Sequence, residues 1–381
     1  MMRLKPFTVA VSDVALGDLR SRLVGTRWLD PLPFPGWTAG VDIEYLKELV
    51  SYWATSFDWR AQERRLNAFP QFTIDIDGQT IHFVHQRGRG RHPMPLMLTH
   101  GWPSSYVELL KIAPLLTDPA AHGADERDSF DVVIPSMPGY AFSGHPRRPG
   151  ICTARTMAIL WRRLMTEGLG YARFGAQGQD IGAAVTIRLG ADHADVVTGI
   201  HVPGLLAFPP KDHRLTEEGK AFLTRRERWS SAEGAYSMQQ GTYPQTLAYG
   251  LTDSPVGLAA WIVEKFRAWS DCDGDVERRF SKDELLTNIT IYWVTGSINS
   301  SFLFYYESQR DPAGWSSLRV EVPVGVALFP RENPFTGPRE WAEPLYKISR
   351  WTAMPRGGHF PAAEEPELLA AELREFFRPF R

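Results

Sequence analysis

The sequence predicts an α/β fold in which a mostly parallel sheet is flanked by helices, interrupted by a helical insertion and preceded by an N-terminal meander. Three observations carry that expectation. From about residue 94, short apolar runs of strand length alternate with stretches of helical periodicity. The alternation stops after residue 204 and resumes near residue 320. Ahead of it lie two amphipathic helix patterns and a hairpin signal. The resulting organisation is residues 1–92 as the N-terminal extension, 93–203 as the first part of the core, 204–318 as a helical cap and 319–381 as the second part of the core. With 381 residues, one large sheet-based domain carrying an insertion is more economical than three small domains.

In chain order, "SDVALGDLRSRLV" offers Ser12 and Asp13 as capping residues, and "DIEYLKELVSYWATSF" puts Tyr45, Leu46, Leu49, Val50 and Trp53 on one helical face. The runs "QFTIDIDG" and "QTIHFVHQ" meet at Asp77-Gly78, a two-residue hairpin signal. The short basic run "RGRGRHP" is punctuated by glycine and reads as a solvated turn. Buried strands are then expected at "MPLMLTH", "DVVIPS", "ARFGAQG" and "VVTGIHV". Helices are expected at "YVELLKIAPLL", "TARTMAILWRRLMTEGL" and "GAAVTIRLGADHA", with right-handed crossovers linking the strands. After "HVPG" the chain carries charged helical stretches rich in aromatics. The sheet pattern returns with "VEVPVGVALFP" and "YKISRWTAMP" and closes on the helix "PELLAAELREFF".

The composition narrows the function classes. With 43% hydrophobic residues and a formal charge of −2, neither disorder nor a nucleic-acid surface is expected, and the anticipated partner is a small, fairly apolar molecule. Two distant cysteines, Cys152 and Cys272, argue against a disulfide framework and point to no metal site. The N-terminus lacks an apolar signal segment and no run is long enough to span a bilayer, so a soluble cytoplasmic protein without membrane contact is the expectation.

Chemistry concentrates in four stretches. "GQDIG", residues 178–182, has small residues flanking Asp180 at a strand-to-helix junction, the layout of a nucleophile elbow. The competing reading is that Asp180 only caps the helix beginning near Ile181. "HGWP" places His100, Gly101, Trp102 and Pro103 between a strand and a helix, where a backbone N–H of Trp102 could join that of Ile181 in an oxyanion hole. "PSMPGYAFSG" has turn chemistry after a buried strand and could line a site beside the elbow. "PRGGHF" puts His359 ahead of the last helix, the chain position of a triad histidine. The preferred acid is Glu332, after Phe329-Pro330, with Glu340 and Glu343 as competitors.

Together with the cap segments "DSPVGLAAWIVEKFRAW" and "LLTNITIYWVTGSINSSFLFYYES" and with "GGHFPAAEEPELLA", these motifs make nearly the whole chain resemble the epoxide hydrolases of the α/β-hydrolase fold, above all the microsomal type with its N-terminal extension. The resemblance implies an aspartate nucleophile at Asp180, a histidine at His359 and a charge-relay acid at Glu332. It also implies two cap tyrosines that bind the epoxide, Tyr236 and Tyr305, the latter with Tyr306 as its neighbour and alternative. Trp102, Pro103 and Tyr306 are further candidates for lining the substrate pocket. No cofactor is implied. The partner is a small-molecule epoxide, and a homodimer is left open. The microsomal-type enzymes often carry Trp after the nucleophile, whereas this chain has Ile181. It also opens directly with the meander, which points to a soluble, bacterial-style relative acting on a bulky or aromatic epoxide, such as a natural-product intermediate.

A carboxylate suits such an elbow because an oxirane carbon is a strained sp³ electrophile that an ionised Asp attacks without prior deprotonation. Two rival readings stand beside this one. A dehalogenase on the same fold would use the aspartate but commonly needs a Trp donor next to it, which Ile181 cannot supply. A non-catalytic ligand-binding relative would keep the fold without the chemistry.

Overall fold

The computed structural model describes residues 3–205, 207–209, 214–311 and 318–381. Its centre is a sheet that, among the described residues, holds nine strands: β1 (Lys5–Phe7), β2 (Gln71–Ile76), β3 (Gln79–Gln86), β4 (Met94–Thr99), β5 (Phe130–Pro135), β6 (Phe174–Gly178), β7 (Val197–Val202), β8 (Val320–Leu328) and β9 (Tyr346–Ala353). The spatial order is β1-β2-β3-β5-β4-β6-β7-β8-β9. Strands β1, β2, β3 and β5 pair antiparallel, and every pair from β5-β4 to β8-β9 is parallel. The central parallel strands β5 and β6 are buried along their whole length, which is why their sequences read as continuous apolar runs rather than alternating ones.

The first ninety residues are not a separate layer. The hairpin β2–β3 turns at Asp77 and Gly78, both with positive φ, and extends the main sheet. Strand β1 carries no signal of its own in three residues; its pairing to β2 supplies the structure. The two helices begin where their caps suggest, Ser12 accepting from the Ala15 N–H and Asp42 from the Tyr45 N–H. The second buries Leu46, Leu49, Val50 and Trp53. A further helix, Trp59–Asn67, follows, capped by Asp58, which accepts from the Ala61 N–H.

The run 87–93 is irregular, and two of its three arginines are in ion pairs: Arg87 with Asp131 at 2.7 Å and Arg89 with Asp118 at 2.7 Å. Between β7 and β8 lies the helical insertion, with helices Glu217–Glu233, Ala235–Thr242, Pro244–Asp253, Pro255–Trp269 and Lys282–Thr295, then the short Ile298–Ser301 and Leu303–Ser308. Parts of this segment, 206, 210–213 and 312–317, fall outside the described residues. The helix Lys282–Thr295 starts with a capping box formed by Ser281 and Glu284. The insertion meets the segments that follow β4 and β8, Tyr236 stacking on Trp102 and Trp229 donating to Asn333, at the strand ends where open α/β sheets place their ligands.

Candidate active site

Strand β6 ends at Gly178, and the helix Ile181–Asp192 starts three residues later. Such an abrupt reversal needs bare backbone on both sides: a Cβ at Gly182 would overlap the Thr99 carbonyl, and one at Gly101 would overlap the Asp180 side chain. At the apex Asp180 has a φ of 53°, a conformation that costs a non-glycine residue about 1–3 kcal/mol and survives only where its surroundings impose it. Its side chain makes no capping bond to the helix. Instead Oδ1 accepts the Trp102 backbone N–H at 2.9 Å.

The other oxygen, Oδ2, stands 3.3 Å from His359 Nε2, and His359 Nδ1 lies 2.7 Å from Glu332 Oε1. Asp180, His359 and Glu332 are thus brought into one line. Glu332 lies in the turn just past the end of β8 and also accepts the Asn333 N–H at 2.7 Å. The competitors lie elsewhere: Glu343 pairs with Arg339 at 2.8 Å, and Glu340 accepts from Thr216 at 3.2 Å. Burial works against a charged His359, but Glu332 and Asp180 outweigh it and hold the imidazole protonated well above the ordinary histidine range.

Aromatic rings form the walls. Tyr236 stacks on Trp102 with centroids 5.2 Å apart and 6° between planes. Tyr305 stands edge-on to both Trp102 and Tyr236, at 6.1 and 5.8 Å. Tyr306 is turned elsewhere, its ring 3.6 Å from the Arg310 guanidinium. Burial, and after it the negative charge of Asp180 among the neighbours, pushes both Tyr236 and Tyr305 up, so both phenols keep their protons. Pro103 is buried behind Trp102, to which it is joined by a cis peptide bond, and its carbonyl accepts from Asn288 of the cap at 2.9 Å. Ile181 is buried at the start of the helix.

Several residues near this centre went unnoticed in the sequence. Trp269, at the end of a cap helix, touches Tyr236 at 4.9 Å and the His359 ring at 5.0 Å, and its carbonyl accepts the His359 N–H at 2.9 Å. The Lys265 ammonium lies 5.3 Å from the Tyr236 centroid and pairs with Glu233 and Glu264. Glu364 brackets His359 from both sides, accepting the Gly358 and Phe360 N–H groups at 3.1 and 2.9 Å and that of Asp271 at 2.7 Å. Glu108 takes a hydrogen bond from Ser104 and is pushed up to about 8 by burial. His100 is held neutral, down to about 4, by burial. Its Nε2 accepts the Met137 N–H, so the proton sits on Nδ1, facing the Gly101 carbonyl. Through that bond, and through Tyr140 beside the His100 ring, the loop 135–144 packs against the site. Among these, Trp269 and Glu364 were detectable in principle, lying within the segments "KFRAW" and "GGHFPAAEE".

Among the described residues no cluster of side chains is suited to hold a metal ion. The geometry offers a carboxylate whose one oxygen is polarised by a backbone donor, a histidine–glutamate pair behind the other, and two protonated phenols opposite.

Known proteins share this arrangement of chain. Residues 4–109 match the family model described as the epoxide hydrolase N terminus, and residues 94–218 match that of the alpha/beta hydrolase fold. Epoxide hydrolase 1 of Oryctolagus cuniculus is 38% identical over an alignment covering 98% of this chain and 88% of the relative. The chain belongs to the epoxide hydrolase family. A protein of Stigmatella aurantiaca provisionally named an epoxide hydrolase is 44% identical, with 99% of this chain and 85% of the relative covered. Among solved structures, the juvenile hormone epoxide hydrolase of Bombyx mori superposes with a TM-score of 0.91 at 29% identity, covering 100% of this chain and 95% of that one. This epoxide hydrolase chain, like the fold expected for it, is an α/β-hydrolase. No helix among its described residues is long and apolar enough to cross a membrane.

Proposed function

We propose that this member of the epoxide hydrolase family opens an epoxide to a vicinal diol through a covalent ester on Asp180. The observation that carries the reading is the orientation of Asp180: Oδ1 is held by the Trp102 N–H while Oδ2 stands 3.3 Å from His359 Nε2, and its charge acts on both Tyr236 and Tyr305. In the first step Oδ2 attacks an oxirane carbon, the ring C–O bond breaks, and the oxygen takes a proton from Tyr236 or Tyr305. The phenol is restored at the expense of the imidazolium of His359.

Ester formation itself prepares the second step. Alkylation removes the negative charge of Asp180, one of the two anions that keep His359 protonated, so the imidazole is released as a base while Glu332 still orients it. It takes one proton from water, and the hydroxide adds to the ester carbonyl carbon. The Trp102 and Ile181 N–H groups stabilise the oxyanion. Collapse expels the diol oxygen, which takes the second proton, leaving Asp180 a carboxylate and His359 an imidazolium. Neither step calls for a cofactor.

The facing rings of Trp102, Trp269 and Tyr236 suit a bulky or aromatic epoxide, and this supports a substrate class that includes natural-product intermediates. The test is mass spectrometry of the variant His359→Gln after incubation with styrene oxide. An adduct on the peptide containing Asp180 is expected, with diol formed by the wild type. An adduct on another residue, or no adduct while the wild type makes diol, would overturn the assignment of the nucleophile.

A further inference from the structure

The helix Ala235–Thr242 carries Tyr236 into the site and buries three of its residues, Tyr236, Gln240 and Gly241. Its opposite face is open, with Met238 63% exposed. Gln240 follows Tyr236 by four residues, so the two side chains stand one above the other on the buried face. Tyr236 lies against Trp102, and Gln240 sits one turn further along the same buried helix face. The flank beyond it is closed: the Gln309 side chain packs against Gly241, and Arg310 donates to the Gly241 carbonyl at 2.8 Å.

Gln240 is fully buried, and among the described residues neither its Oε1 nor its Nε2 has a hydrogen-bond partner. A buried amide with both halves unanswered is costly, and an apolar side chain of the same size would pack there without that cost. In a wall otherwise made of rings, such a group has the character of a recognition element. A pocket of this kind uses few polar groups, and these set the orientation of the ligand.

Resting on the epoxide-opening reading of this site, we propose that Gln240 determines specificity by hydrogen-bonding an oxygen substituent of the substrate, a hydroxyl being able to satisfy both halves of the amide. The i to i+4 spacing sets the Cβ atoms of Tyr236 and Gln240 roughly 5–6 Å apart, so an oxygen substituent a comparable distance from the oxirane oxygen held by Tyr236 would meet the amide. The preferred substrate is accordingly an epoxide with an oxygen function four or five bonds from the ring oxygen, rather than a pure hydrocarbon epoxide.

A matched pair of substrates tests this: 1,2-epoxyhexane and 4,5-epoxypentan-1-ol, in which a hydroxyl replaces the terminal methyl. The wild type should favour the alcohol in kcat/KM. In Gln240→Leu, kcat/KM for the alcohol should fall by about tenfold or more while that for the hydrocarbon stays within about threefold. Gln240→Met serves the same purpose if the leucine variant folds poorly. An equal fall for both substrates, or an unchanged ratio, would show that Gln240 only supports the cap and would overturn the inference. Turnover of neither epoxide by the wild type would overturn the epoxide-opening reading and the inference with it.

Discussion

At the scale of single residues, the proposed reaction depends on charges that change as it proceeds. His359 lies between two carboxylates in a buried setting, so its protonation follows theirs. On the proposed mechanism Glu332 is the carboxylate left beside His359 once Asp180 is esterified, and its value should appear mainly in the second step. In Glu332→Gln the ester is expected to form but to hydrolyse about 10²–10⁴ times more slowly, since the base is neither oriented nor stabilised as an imidazolium. Rapid-quench measurements would then show a burst of enzyme-bound product equal to the active sites, followed by a slow phase. A variant that fails to form the ester at all would place Glu332 in the first step instead. The same scale shows where reading by motif stops: Tyr305 and Tyr306 are adjacent and identical in the sequence, and only the rotation of the helix Leu303–Ser308 turns the first toward Trp102 and the second under Arg310.

At the scale of elements, the last helix locks the far side of the sheet. Glu372 of the helix Pro366–Phe377 receives Arg350 of β9 at 2.7 and 2.8 Å and Thr352 at 2.9 Å, and stands 3.7 Å from His201 of β7. Burial opposes its charge, but His201, Arg350 and Thr352 hold it down to about 2. A carboxyl depressed in this way stabilises the fold fully above its unfolded value near 4.5, and the stabilisation is lost as pH falls toward 2. His201, kept neutral by burial, adds a penalty on the acid side of its ordinary range. Glu372→Gln should therefore cost roughly 2–4 kcal/mol at pH 7, and urea titrations should find the gap to wild type closing between pH 5 and pH 2. A gap that is constant with pH would mean that packing, not charge, joins helix and strands.

At the scale of the whole molecule, the N-terminal segment is a brace for the cap. The Trp53 indole donates to Thr290 at 3.0 Å, and Tyr52 and Gln62 both reach Asp283, at 2.9 and 3.2 Å. Arg22 holds Asp253 at 2.9 Å. From the braced helix Lys282–Thr295, Asn288 then contacts both Ser105 and the Pro103 carbonyl, beside the N–H that polarises Asp180. Meander, cap and loop form one packed path, so they should unfold together. Trp53→Ala, which removes a buried ring, should cost roughly 3–5 kcal/mol. Loss of diol formation and loss of fluorescence signal in urea should coincide at a lower midpoint. Two separate transitions would mean that the cap is stable without its brace.

The sequence by itself determined what local periodicity and local sterics can carry. The alternation of buried runs with helices, the small residues around Asp180, the position of His359 before the last helix and the acid after β8 all depend on neighbours within a few residues. The tertiary structure decided what depends on how elements rotate and dock. It joins three-residue β1 to the sheet, sets Trp269 against His359, brackets the histidine with Glu364 and buries Gln240 beside Tyr236. The physical reason is that a period of 3.6 or 2 residues tells which side of an element is apolar, but not which partner that side meets. In the cap, where aromatics occupy many faces, the choice of the rings that meet Trp102 beside Asp180 is made by packing alone.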